Sequence, residues 1–247
     1  MKRIAPFLYG VFFLICTFIF YGVSFHYKKK EPSCLPIRWI AQTGPIKEGL
    51  KNDYLAELLG LSKNHPKPID PEEAQNILKR SPLIREVQVS VVNIDTLYID
   101  YVMRQPRFFL LDFSNIAVDE VGCLMPFKPF FTPKRLPALF LGLKSMITWS
   151  EPIQKEKMHL ALDLVHYLEN IAHVSQIDLS QVDEETLGKR EITVTLDNAN
   201  KSRHYLRLSL KRYAQEISHY CAVRERIEGK SCVIDLRVAN LAFIKDY

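Results

Sequence analysis

An α+β fold with an uncharged apolar segment ahead of it is predicted for this chain from three observations. Residues 7–25 carry no charge, residues 37–105 pass from strand-like alternation to helical spacing and back, and beyond residue 106 short apolar runs are broken by Gly122, Pro126, Pro129 and Pro133. The 247 residues are 47% hydrophobic and 25% charged, with 9 Gly and 14 Pro, which excludes a disordered or collagen-like chain. The net charge of +5 is diluted along the sequence. A nucleic-acid binder would gather that excess on one face.

The apolar segment is expected to be a single transmembrane helix. Nineteen residues span about 28 Å at ~1.5 Å per residue, enough for one crossing. Tyr9 and Tyr21 stand near its ends, and Lys28, Lys29 and Lys30 close it. A cleaved signal peptide is the competing reading, since Lys2 and Arg3 form a basic start, but the run exceeds the usual ~7–15 residue apolar region. Two basic residues precede the span and three follow it, so charge alone does not orient it. Cys16 lies in this segment, and Cys34, Cys123, Cys221 and Cys232 lie beyond it without the CxxC spacing of a zinc or redox site. In an exported domain Cys221 and Cys232 could close a short loop, although buried reduced thiols explain them equally simply.

The first unit reads as strand 37–44, helix 52–61, helix 71–79 and strands 86–91 and 97–103. Leu55, Leu58 and Leu59 give the first helix its apolar face. Asp70, Pro71 and Glu73 give the second a capping residue, a proline at the first position and an acid three residues on. Ser81-Pro82 ends it. Val87, Val89 and Val91, then Leu97, Ile99, Tyr101 and Met103, alternate with mostly polar residues, and residues 93–95 make a tight connection. Two helices on one face of a three-stranded sheet follow.

The second unit reads as short strands near 108–112, 116–119 and 124–125, then a helix over 150–172 capped by Ser150. Strands at 177–179, 192–196 and 205–210, a helix at 211–224, and runs at 232–238 and 241–244 meeting at Ala239-Asn240 complete it. GxSxG, HExxH, glycine-loop and dinucleotide signatures are absent, so no catalytic residue, metal or cofactor is expected. The best metal candidate, His159, Asp163, His166 and Asn170, lies within about 60° on one helix face at ~100° per residue. Those four read as a solvated stripe.

The 37–105 unit resembles a POTRA domain, and the whole chain resembles the FtsQ/DivIB cell-division proteins. Leu97-Tyr98-Ile99 with Arg104-Gln105-Pro106 is similar to the family's tL-x-I … ER-x-P junction, with Met103 where glutamate is usual. Val118-Asp119 and Gly122 resemble v-D-x-x-G, Leu136-Pro137 with Gly142 resembles LP-x-l-x-G, and Ile234-Asp235-Leu236-Arg237 matches the terminal iDlR. The resemblance implies a cytoplasmic N-terminus (1–6), the transmembrane helix (7–25), a linker (26–36), the POTRA-like domain (37–105) and a β-rich domain with flanking helices (106–247). It also implies a non-enzymatic divisome scaffold at the division septum of the bacterial inner membrane, its bulk outside the cytoplasm. Partners would be FtsB/DivIC-like and FtsL-like proteins, the former adding a strand at the last sheet edge, residues 237–245. There Arg237 would meet an acidic partner residue, and Val238, Asn240, Leu241, Ala242 and Phe243 would line the edge.

Two other classes fit less well. A membrane-anchored extracytoplasmic hydrolase would depend on His159, Asp163 or His166. A POTRA-type polypeptide-handling protein of secretion or outer-membrane assembly would continue into a β-barrel of ~10-residue alternating strands, for which these residues leave no room.

Overall fold

The computed structural model describes residues 36–246 apart from 63–65, 146–148 and 150, so the apolar segment, Cys16 and Cys34 lie outside the described residues. The described chain is a mixed α and β structure, rich in sheet, with four α-helices. Among the described residues no helix is long and apolar enough to cross a membrane.

The N-terminal unit contains β1 (Trp39–Thr43), α1 (Asn52–Leu58), α2 (Pro71–Lys79), β2 (Ile84–Val92) and β3 (Thr96–Met103). Its sheet runs β1-β3-β2, with β1 parallel and β2 antiparallel to the central strand. Leu55 of α1, Ala74 and Leu78 of α2, and Leu97 and Ile99 of β3 are fully buried together. Asp70 precedes α2 with extended backbone but its side chain makes no capping bond, so the start rests on Pro71 and on Glu72 and Glu73 facing the helix dipole. The Tyr101 hydroxyl accepts the Leu50 N–H at 2.7 Å. A Cβ at Gly44 would stand 2.3 Å from that ring, so only glycine lets the chain pass it.

The C-terminal unit is one nine-stranded sheet in the order β12-β11-β10-β9-β8-β7-β4-β5-β6. Its strands are β4 (Phe108–Leu110), β5 (Ile116–Val118), β6 (Leu124–Pro126), β7 (Ala138–Phe140), β8 (His173–Asp178), β9 (Ile192–Asp197), β10 (Arg203–Leu208), β11 (Cys232–Asp235) and β12 (Phe243–Asp246). Helices α3 (Lys155–Leu168) and α4 (Tyr213–Val223) share its core through Ala161, Leu164, Leu168, Ile217 and Tyr220. Strand β7 escapes a sequence reading because it is three residues between Pro137 and Gly142. Helix α3 starts at Lys155 rather than at Ser150: Glu151 precedes a proline, and the Ile153 N–H bonds back to the Gly122 carbonyl at 2.9 Å. It ends at Leu168, short of residue 172, because β8 begins at His173. The closing runs are also shorter than expected: residues 236–242 form a connection, in which Asn240 has φ +61° and the Leu241 N–H bonds to the Val238 carbonyl.

The two units share a seam. Alternation along β5 and β6 sends Ile116, Val118 and Leu124 into the C-terminal core, and Ala117 and Met125 into the N-terminal one. Phe127 and Phe131 join the latter. Arg104 donates to the buried Asp119 carboxylate at 2.9 Å, and the other oxygen of Asp119 accepts the Val121 and Cys123 N–H groups. Gly122 follows at φ +94°, and a Cβ there would meet the Ile153 carbonyl at 2.8 Å. Arg104, Asp119 and Gly122, three positions of the family resemblance, therefore meet in one turn. A second tie joins Glu48 to Lys134 at 2.8 Å and to the Thr132 N–H at 3.0 Å.

Candidate interaction edge

A long sheet has two borders, and unpaired backbone groups on either one invite another strand. At one border, β6 is three residues long with Leu124 and Met125 fully buried, and Pro126 lacks an N–H. At the other, among the described residues, β12 pairs with β11 alone, antiparallel, with Phe243 opposite Asp235 and Ile244 opposite Ile234. All four β12 residues are exposed. Phe243 keeps 57% of its surface and Ile244 45%, beside exposed Val238 and Leu241 in the preceding connection. Lys245 and Asp246 add charge only at the far end.

The residues expected at the edge divide accordingly. Phe243 lies on the border strand, whereas Arg237, Val238, Asn240, Leu241 and Ala242 lie in the connection to it. Ala242 is half-buried against the C-terminal core. Ile244, absent from the expected set, stands on the border; its place in the 241–244 apolar run was the available signal. Arg237 is paired with two acids of its own chain. Its guanidinium grips Asp235 at 3.0 and 2.7 Å and reaches Glu191 at 3.1 Å, while Arg207 bridges the same two carboxylates at 3.2 and 2.5 Å. Burial pushes the Asp235 carboxyl up, but the bonds from Arg237 and the charges of Arg237 and Arg207 outweigh it and hold the group below the ordinary aspartate value. Two cations and two anions in alternation thus fix the start of the connection, and Arg212 donates to the Arg237 carbonyl at 2.7 Å. Arg207 and Glu191 carried no sequence signal, since both come from other parts of the chain.

Elsewhere, His159, Asp163, His166 and Asn170 are all exposed on or just after α3. Asp163 accepts from the Tyr213 hydroxyl and His166 lies 3.4 Å from Glu169. Among the described residues no group of three or more His, Cys, Asp or Glu is placed to hold a metal. Cys221 is exposed, Cys232 is buried, and both are free, so the possible loop disulfide is not formed. A broad cleft between the β9–β10 turn and the end of α4 is lined by Asn198, Asn200, His204, Cys221, Arg224 and Glu228, among others. His204 has both nitrogens engaged there, Nδ1 with the Tyr220 hydroxyl at 2.7 Å and Nε2 with the Lys230 carbonyl at 3.1 Å. His159, Asp163 and His166 do not line this cleft.

No family model matches the chain, and comparison with curated proteins gives no match.

Proposed function

We propose that this protein is a non-enzymatic, bitopic scaffold of the cell-division machinery, of the kind its resemblance to FtsQ/DivIB implies. Its POTRA-like and β-rich domains stand outside the cytoplasm, and it joins an FtsB/DivIC-like and an FtsL-like protein to septal wall synthesis. The observation that carries the reading is the open outer border of β12, with Phe243 and Ile244 exposed on it. Strand addition uses that border for affinity and the alternate side chains for selection.

Magnitudes assign the work. Backbone bonds are worth about 1 kcal/mol each net, so the few that a four-residue strand can offer fall short of the roughly 8 kcal/mol of micromolar affinity. The exposed apolar side chains must supply the rest, at about 1.5–3 kcal/mol for a large one fully buried. Phe243→Ala is therefore expected to weaken partner binding by roughly 10–100-fold.

Neighbouring residues of a strand direct their N–H groups to opposite borders. Of Phe243→Pro and Ile244→Pro, one removes a donor from the outer border and the other from the β11 pairing. The expected outcome is that the first abolishes co-purification of the partner from dividing cells at unchanged melting temperature, while the second also lowers stability. A fluorescent fusion should gather at the septum. Uniform membrane fluorescence, or co-purification undiminished in both proline variants, would overturn the reading.

A further inference from the structure

The pole of the N-terminal unit opposite the seam carries large apolar side chains that are largely exposed. Trp39, at the start of β1, is 65% exposed, and Ile94, in the β2–β3 turn, is 71% exposed. Both the Arg38 and the Trp39 N–H bond to the Asp95 carbonyl, at 2.9 and 3.2 Å, which brings the strand start against the turn. Val92, also exposed, pairs across β3 with Thr96, the residue that Trp39 faces from the other side. Trp39, Val92 and Ile94 thus form an apolar tip. Arg38 and Lys67 are exposed beside it, Lys67 through a backbone bond to Ile37, while Asp95 is half-buried. A tight hairpin turn ordinarily takes Gly, Asn or Asp, and here Asn93, at φ +61°, and Asp95 meet that need, while the isoleucine between them is left largely exposed.

We propose that this tip rests in the interfacial layer of a lipid bilayer, Trp39 and Ile94 entering the headgroup region. The inference rests on the membrane-anchor part of the function proposed above and goes beyond it. What selects the bilayer is the short length of sequence between the uncharged run and the tip. Trp39 stands 14 positions after Phe25, the end of the uncharged run, with Lys28, Lys29 and Lys30 between them. Fourteen residues reach at most about 50 Å even when fully extended. The described chain begins at this pole, at Pro36, so of the domain's surface the tip is the part nearest in sequence to the proposed anchor. At so high an effective concentration, a weak contact is enough. Tryptophan suits the site, with an apolar ring and an N–H that prefers the wet boundary. Three lysines and Arg38 favour an anionic surface.

The test uses the full chain in vesicles of phosphatidylcholine and phosphatidylglycerol whose acyl chains carry bromine, a quencher confined to the membrane. The protein has 2 tryptophans, so Trp149→Phe leaves Trp39 as the reporter and Trp39→Phe leaves Trp149 as the control. Trp39 emission should shift to the blue and fall by roughly half, as for a ring about 5–10 Å into the boundary layer. Trp149 should be unaffected, and Ile94→Asp, at an exposed position, should restore the Trp39 signal without altering the fold. A chain that floats with the vesicles while Trp39 stays open to an aqueous quencher would overturn this proposal alone, as would equal quenching of both tryptophans. A chain that does not float would overturn the anchor and the tip together.

Discussion

His204 and Tyr220 form a closed pair inside the C-terminal core. The Lys230 carbonyl can only accept, so His204 Nε2 carries the proton and Nδ1 accepts from the Tyr220 hydroxyl. Burial pushes the Tyr220 phenol up to about 12, which keeps it a donor at every ordinary pH. Burial also lowers the His204 value, and the nearby Arg224 charge adds to that. As acid is added, the unfolded chain takes up this proton before the folded one does. Stability should therefore decline as the pH falls below the ordinary histidine value of about 6.5, toward the lower folded value. Urea titrations across that range check the sign, and Tyr220→Phe should cost about 1–3 kcal/mol by leaving Nδ1 unpaired. None of this was legible in the sequence, where His204 and Tyr220 are 16 positions apart on separate elements. Gly122 was legible as a turn, but the close Ile153 carbonyl that makes it obligatory was not.

Among elements, the β11–β12 hairpin is tied by charges as well as by its own turn. Arg237→Ala should leave Asp235 and Glu191 held by Arg207 alone and raise amide exchange across β12 while leaving β9 protected, at a local cost of about 1–3 kcal/mol. Asp235 has its value lowered in the fold, so its contribution is present at neutral pH and declines as the pH falls from the ordinary aspartate value through the lower folded one. Exchange measured at neutral and acidic pH reads both effects. The elements themselves were mostly legible where the periodicity was long. Helix α2 agrees with its expected span, 71–79, because proline fixes one end and Ser81-Pro82 follows the other. The terminal strand was misplaced because residues 237–242 are apolar enough to continue a strand, while the lattice that turns Arg237 back comes from distant Arg207 and Glu191.

At the scale of the whole molecule, the two cores are joined by side chains that alternate out of β5 and β6, so the halves should unfold as coupled bodies. Gly122→Ala strains a positive φ and drives a methyl against the Ile153 carbonyl. It should lower the melting temperature by several degrees, at a cost of about 2 kcal/mol or more, and the loss should extend to amides of the N-terminal unit. Calorimetry with amide exchange reads this, and loss confined to residues after 106 would disprove the coupling. The α+β class was visible from alternation and capping, but the nine-strand order was not, since it pairs β4 with β7 and β10 with β11 in parallel across intervening chain.

That sheet is closed at one end and open at the other. Head-to-tail stacking of identical copies, the route to a fibre, needs both ends, and here Pro126 and the neighbouring unit occupy the second. Growth therefore stops after a single guest strand, or after two copies meeting through β12, and each molecule is a terminus rather than a link.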